Sequence, residues 1–511
     1  MLIPAFAEPN FTDNTPHDGY RVITVFDATE EAFIAYCKFF KENGFVKKQE
    51  RSRYTAFQNG STGVFIIFYR TIGELRIVIE ENCNYFAFAD AGTDALVAPQ
   101  ITQVHLEDFG MSYAVRLSDG RFIILDGGRD FEPDADELYR VLKAGSPHPK
   151  PIIAAWIMTH PHSDHVPCIH PFMERHGEKV IIQKFLYNFP KPADFVDPEK
   201  PKSEKTLYDY TEKELVEPFE SLVKDLGVPV YTPHTGQIYR IGDAVCDILA
   251  CLDDSVHITN KINPTSLIIR IELAGQVILW ATDGSFSDVK LVERYGEYLK
   301  SDILQVPHHG FTSGTDEAQI RGYDIIRPRT CMLPVSDYNA YCVFCAHKEG
   351  TKHLMTNVDV EEMITGDTTR TLTLPYTPTP YGARELRRKY LEGQASAGAK
   401  TWFFTELSTA QPDDFVYTLL NTTHAIAQVT FELFFDSKKK AIRHIKTEIP
   451  PMSFRTFSVI DPEEVESETV YYNPWSLATR SIPENEPFVL RIMSNTPIIA
   501  SHKSHRDTYH A

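Results

Sequence analysis

His160-Pro161-His162-Ser163-Asp164-His165 sets three imidazoles and one carboxylate within six residues. The segment follows directly on the apolar run Ile152-Ile153-Ala154-Ala155-Trp156-Ile157-Met158, which reads as a strand, so the polar residues stand at a strand end. Neutral nitrogens and an anionic oxygen at this density make a donor set for zinc, or for iron or manganese. Metal-assisted hydrolysis is the chemistry such a set supports.

Other polar, glycine-bearing segments accompany it: Leu125-Asp126-Gly127-Gly128 after a strand, Asn263-Pro264-Thr265-Ser266-Leu267, Ala281-Thr282-Asp283-Gly284 after the strand Val277–Trp280, and Val306-Pro307-His308-His309-Gly310. Together with the H-x-H-x-D-H segment, and in this order, they resemble the metallo-β-lactamase fold superfamily across residues 96–385. The sub-pattern is similar to the hydrolase domain of bacterial DNA-uptake competence proteins and of secreted phosphorylcholine esterases. The resemblance implies a central αββα sandwich holding one or two Zn2+ ions, with Mn2+ or Fe as alternatives. It also implies His160, His162, Asp164, His165, Asp283 and His309 as ligands and Asp126 as the residue that orients them. His160 and His162, two apart on a turn, would grip one ion, Asp164 and His165 would reach a neighbouring one, Asp283 would bridge, and His309 would close the second site. Asp164 and His308 are the expected catalytic residues, His308 as hydrogen-bond donor to a leaving group or developing oxyanion.

The sequence departs from the superfamily pattern at one place. A histidine between the H-x-H-x-D-H segment and the bridging Asp usually completes the first metal site, and that window offers His170, His176, His234 and His257, none in the usual context. Asp253 and Asp254 stand where the histidine is expected, so His234, Asp253, Asp254 and His257 are the additional metal candidates. The first site then uses a carboxylate or a water, or is weakly held.

By this reading the chain is a metallo-hydrolase in which a metal-bound hydroxide attacks an ester-like bond, most readily a small phosphodiester. Two other readings stand beside it. One is a lactonase or carboxyl-ester hydrolase acting on a sugar-derived substrate; the other is a catalytically inactive metal- or ligand-binding sensor.

The elements that must position these residues divide the chain into an α/β arrangement of parts. Residues 1–95 read as a small α+β domain, in which Asp27 and Glu30 suggest a capping box for a helix bearing Phe33, Tyr36, Cys37 and Phe40 and ended by Gly44. VFIIFYR and ELRIVIE follow as strands. Residues 96–385 hold the hydrolase-like domain, with strands over Tyr113–Leu117, Phe122–Leu125, Ile152–Met158, Leu267–Leu273 and Val277–Trp280 and a helix over Glu212–Leu226. A linker over 386–400 leads to a β-rich module over 401–511, expected to be a sandwich. Its scattered matches, around Asn421-Thr422-Thr423, Ile449-Pro450-Pro451 and Pro487-Phe488-Val489-Leu490, faintly resemble sensory rhodopsin transducer proteins, which implies binding of a small ligand or carbohydrate; oligomerisation is the alternative role.

Composition narrows the partners. With 51 Lys and Arg against 70 Asp and Glu, the 511-residue chain carries a formal charge of −19, which repels long nucleic acids. Its basic clusters, Lys438–Lys440 and Arg387–Lys389, are short. A small-molecule ester is the expected partner, with self-association left open. No run of 18 apolar residues is present and MLIPAFAEPNF has no basic n-region, so a cytoplasmic protein without a membrane span is expected. Eight Cys are too sparse for a disulfide framework. Cys342-x-x-Cys345 with His347 and His353 is half of a zinc-knuckle spacing, and His502, His505 and His510 read as a tail.

Overall fold

A computed structural model describes residues 10–83, 89–90, 92–107, 109–190, 215–256, 262–336, 339–340, 348–379, 399–408, 416–435, 443–458 and 487–502. Among these, the residues of 10–336 and 348–379 form one compact unit, and the remainder forms a second. The expected linker over 386–400 lies outside the described residues as far as 398, and its last two residues instead begin the strand Ala399–Ser408; both basic clusters lie outside the described residues, as do His257, Cys342, Cys345, His347, His505 and His510.

The first unit opens with a six-stranded antiparallel sheet in the order Phe11–His17, Tyr20–Val25, Glu74–Glu80, Thr62–Tyr69, Tyr54–Asn59, Val46–Arg51. One face carries the helix Glu30–Glu42, whose Phe33, Tyr36 and Phe40 pack on Ile23, Phe57, Val64, Ile66 and Ile77. The other face buries Tyr20, Val22, Tyr54, Phe65, Ile67 and Val78 against Val256 and Tyr295 from later in the chain. Both faces are covered, which explains why Gly63–Tyr69 is buried at every residue and reads as continuous apolar sequence. The helix start differs from the capping box expected at Asp27. Thr29 is the cap and accepts from the Ala32 amide, because Asp27 sits in the left-handed region (φ 54°) and belongs to the preceding turn.

Two mixed sheets follow, stacked on a shared core that includes Tyr113, Ile123, Leu125, Ile157, Ile248, Ile269, Ile278 and Trp280. The first sheet runs Val230–Tyr231, Phe185–Leu186, Ile152–Ile157, Phe122–Asp126, Ser112–Arg116, Gln100–Gln103, Arg370–Thr373. Helices Glu132–Gly145, Ile169–His176 and Glu217–Leu226 cover its outer face through Leu138, Phe172 and Phe219, packed around Trp156. The second sheet runs Glu362–Ile364, Thr330–Met332, Ile303–Gln305, Gln276–Trp280, Ile268–Leu273, Ala244–Ala250, Ile238–Ile241, Ala89–Asp90. Helices Leu291–Tyr295, Asp316–Ile326 and Glu349–Thr356 alternate with its strands. This is the expected αββα sandwich. Within each sheet two neighbouring strands run parallel: Phe122–Asp126 beside Ile152–Ile157, and Gln276–Trp280 beside Ile303–Gln305. Their C-terminal ends lead into the chemistry-bearing segments.

The second unit is β-rich. Its 16-residue strand Pro487–His502 pairs with Ala399–Ser408 and Ala427–Phe435 over its first part and with Val416–Asn421 at its end, so one strand serves two sheets. Tyr417, Leu419, Val429, Phe431, Leu433, Leu490 and Ile492 fill the core between them. No helix among the described residues of the chain is long and apolar enough to cross a membrane.

Candidate metal centre

The strand Phe122–Asp126 ends in a left-handed Asp126 (φ 57°), and the turn it starts is built around the H-x-H-x-D-H segment. The amides of Gly127 and Gly128 donate to the His165 carbonyl at 2.8 and 3.1 Å, and Gly128 adopts φ 100°, which a residue with a Cβ rarely does. Gly110 approaches the same segment so closely that an added Cβ would stand 2.9 Å from the Asp164 carbonyl oxygen. The Asp126 carboxylate accepts from the Thr159 amide, the Thr159 hydroxyl and His165 Nδ1, each at 2.8 Å. With Nδ1–H tied to Asp126, His165 presents Nε2 inward, the arrangement that fixes the tautomer of a ligating histidine.

The other half of the centre comes from the second sheet. Thr282, His308 and His309 all adopt left-handed backbone (φ 49°, 49° and 52°), a concentration of strain at one place. It is held by Thr282 donating from its amide to Gln305 and from its hydroxyl to the Leu267 carbonyl, and by the His308 amide donating to the Thr282 carbonyl. Ser313 donates to the Asp283 carbonyl at 2.7 Å and Thr312 to Asp316 at 2.8 Å, so both hydroxyls brace the turn.

All six residues expected as ligands come together. Donor atoms of His160, His162 and Asp283 lie within 4.8 Å of one another, and so do those of Asp164, His165 and His309. Asp283 faces both groups: one of its oxygens is 3.6 Å from His160 Nε2 and 3.4 Å from His165 Nε2, the other 3.6 Å from His309 Nε2. His309 Nε2 is 3.1 Å from Asp164 Oδ2 and 3.3 Å from His165 Nε2. His308 stands further out, its side chain 28% exposed, with Nε2 3.9 Å from Asp283 and within 3.0 Å of the Asn263 amide nitrogen.

Charge in this pocket is uneven. Burial, with His165 and His162 alongside, pushes the His160 imidazole well below its ordinary pKa, and burial takes His162 down to about 4. Burial also opposes ionisation of Asp283 and Asp164, but His165 and His309 outweigh it and hold both carboxyls low. His165 is the reverse case: burial disfavours its charge, and Asp283, Asp164 and Asp126 overcome that and raise it. The pocket therefore combines the uncharged imidazoles of His160 and His162 with ionised carboxylates, and His165 carries the proton that a bound divalent ion would displace. His162 Nε2 and Asp283 Oδ1 are buried without a hydrogen-bond partner, and the facing Nε2 atoms of His165 and His309 need a cation or proton between them. The residues fit a metal.

His234, Asp253 and Asp254, expected as substitutes for the absent histidine, take no part in this cluster. His234 is wholly buried between the rings of Phe65 and Tyr20, with Nδ1 3.2 Å from Asp253 and Nε2 3.0 Å from Glu80. Tyr20 donates to Asp253, and Arg76 and Arg294 both pair with Asp254. The reason is charge balance: these carboxylates meet cations at the seam with the N-terminal sheet. His170 lies on the helix Ile169–His176, and His176 stacks on Tyr139 and contacts Asp136 at 2.6 Å. His353 contacts Asp324 at 2.8 Å. Sequence reasoning passed over Asn263 as a site residue, although its segment was recognised; the signal was its place before the strand Ile268–Leu273, next to the strand that leads to Asp283.

Residues 106–315 match the family model of the metallo-beta-lactamase superfamily. This region belongs to that superfamily. The metallo-β-lactamase fold typically binds metal ions, and the grouped His and Asp side chains stand within the matched region. Solved structures similar to the chain include the metallo-β-lactamase fold protein YhfI from Bacillus subtilis, at 13% identity over 53% of this chain and 99% of that one, with a TM-score of 0.34. CmlA, a diiron β-hydroxylase from Streptomyces venezuelae, is similar at 11% identity over 55% of each chain, TM-score 0.35. The Anabaena sensory rhodopsin transducer is similar at 19% identity over 21% of this chain and 99% of that one, TM-score 0.17. No curated protein matches.

Proposed function

We propose that the chain is a metal-dependent hydrolase of ester bonds whose substrate is a small phosphodiester. The observation that carries this reading is the placement of Asp283 between two three-residue donor groups, His160, His162 and Asp283 on one side and Asp164, His165 and His309 on the other. A divalent ion held there, zinc by its donor set with manganese or iron as alternatives, supplies Lewis acidity and makes water a nucleophile near neutral pH. The protein's own part is to hold Asp283 facing both groups and to fix His165 through Asp126. His308, partly exposed, accepts from the Asn263 amide at Nε2 and faces the Thr312 carbonyl with Nδ1, so it is placed to take up a proton beside the centre. The charge of −19 favours a small substrate over a long polyanion.

The test is a substrate panel of bis-aryl phosphodiesters and lactones assayed with the purified protein. Turnover of the phosphodiesters supports the proposal. Turnover of lactones alone replaces it with the carboxyl-ester reading.

A further inference from the structure

From the buried His309, aromatic rings lead outward to one cation. Phe109 packs on the His309 ring with centroids 4.1 Å apart, Phe311 meets Phe109 at 5.9 Å and the His308 ring at 5.5 Å, and the Lys348 ammonium stands 5.2 Å over the Phe311 ring. Phe109, Phe311 and Lys348 are all half-buried, whereas His309 is fully buried. Among the described residues no carboxylate pairs with Lys348; its neighbour Glu349 is 3.5 Å from Lys352 instead. In a protein of charge −19, an ammonium that no described carboxylate pairs with is a local exception.

We infer that Phe109, Phe311 and Lys348 are a specificity rim, selecting phosphoesters that carry a flat ring next to the reacting phosphorus and a second anionic group beyond it. The inference rests on the phosphodiester reading of the centre. Each part follows from the chemistry of the side chains. The rings of Phe109 and Phe311 would take a planar group by stacking, and the Lys348 ammonium over the Phe311 ring would take an anion at the far edge of that group. A neutral lactone would leave Lys348 without a role.

The test is equilibrium binding to the purified metal-loaded protein, by calorimetry, of two probes that differ in one charge: phenylphosphonate and 4-carboxyphenylphosphonate. The wild-type protein should bind the carboxylated probe about tenfold more tightly, roughly one charge-assisted hydrogen bond. Lys348→Met should bring that ratio to about one, Lys348→Arg should restore it, and Phe311→Ala should weaken both probes. Equal affinities in the wild type, failure of both probes to bind, or a ratio unchanged in Lys348→Met would overturn the inference. Turnover separates this from the proposed function: the ratio without phosphodiester hydrolysis keeps the rim and loses the reaction, whereas hydrolysis without the ratio keeps the reaction and loses the rim.

Discussion

His165 Nδ1 and Asp126 Oδ2 lie 2.8 Å apart, and both side chains are closed off from solvent. Because that bond decides which nitrogen of His165 faces Asp283, Asp126 controls the centre without being a ligand. In Asp126→Asn the shape is kept, but the amide satisfies only part of what the carboxylate accepts from Thr159 and His165. Metal affinity should fall about 10- to 100-fold, read by competition with a chelating dye. Wild-type affinity in this variant would show that His165 is oriented by something else.

His234 lies between Asp253 and Glu80 at the seam between the N-terminal sheet and the sandwich, beside the Arg76 and Arg294 pairs with Asp254. Burial opposes its charge, yet Asp253 and then Glu80 raise its pKa to about 10. A group raised on folding from an unfolded value near 6.5 contributes its full stabilisation below about pH 6.5, and loses it as pH climbs through about 10. The melting temperature of the wild type should therefore fall between pH 7 and 10 more steeply than that of His234→Gln. The variant should also be less stable at pH 6, by about 3–5 kcal/mol, since Asp253 and Glu80 lose their cation. Parallel pH profiles for the two proteins would argue that His234 is neutral when folded.

Gly128 combines φ 100° with a crowded approach, an added Cβ standing 3.0 Å from Leu106 Cδ1. Gly128→Ala should cost about 1–3 kcal/mol in urea unfolding. Its amide also holds the His165 carbonyl, so metal affinity should drop with it. Gly275 serves as the control, with φ 76° but open space around its Cα, and Gly275→Ala should cost only about 1 kcal/mol with metal binding intact. Equal effects of the two substitutions on metal affinity would contradict the assignment.

The grouping of the candidate ligands was legible in the sequence because its information is local. His160, His162, Asp164 and His165 share one turn, and Asp126, Asp283 and His309 each stand just past a strand of the core. His234, Asp253 and Asp254 were read as candidate ligands because nothing near them in sequence reveals their partners. Tyr20, Arg76 and Glu80 lie some 150 to 230 residues away and meet them only when the sheets pack. VFIIFYR was legible as a strand, but not what covers its two faces, since apolar content records burial and not the identity of the neighbour. At the first helix, Asp27 and Thr29 both offer a capping oxygen; only the left-handed backbone of Asp27 decides between them.

We propose that His160, His162, Asp164, His165, Asp283 and His309 together hold the divalent metal used for hydrolysis. Elemental analysis of the protein purified without chelator, beside Asp283→Ala, tests it most directly, because Asp283 faces both donor groups. One or two transition-metal ions per wild-type chain, with metal content and ester hydrolysis both lost in Asp283→Ala, is the predicted result. Less than about one ion per wild-type chain, or full activity in Asp283→Ala, would contradict it.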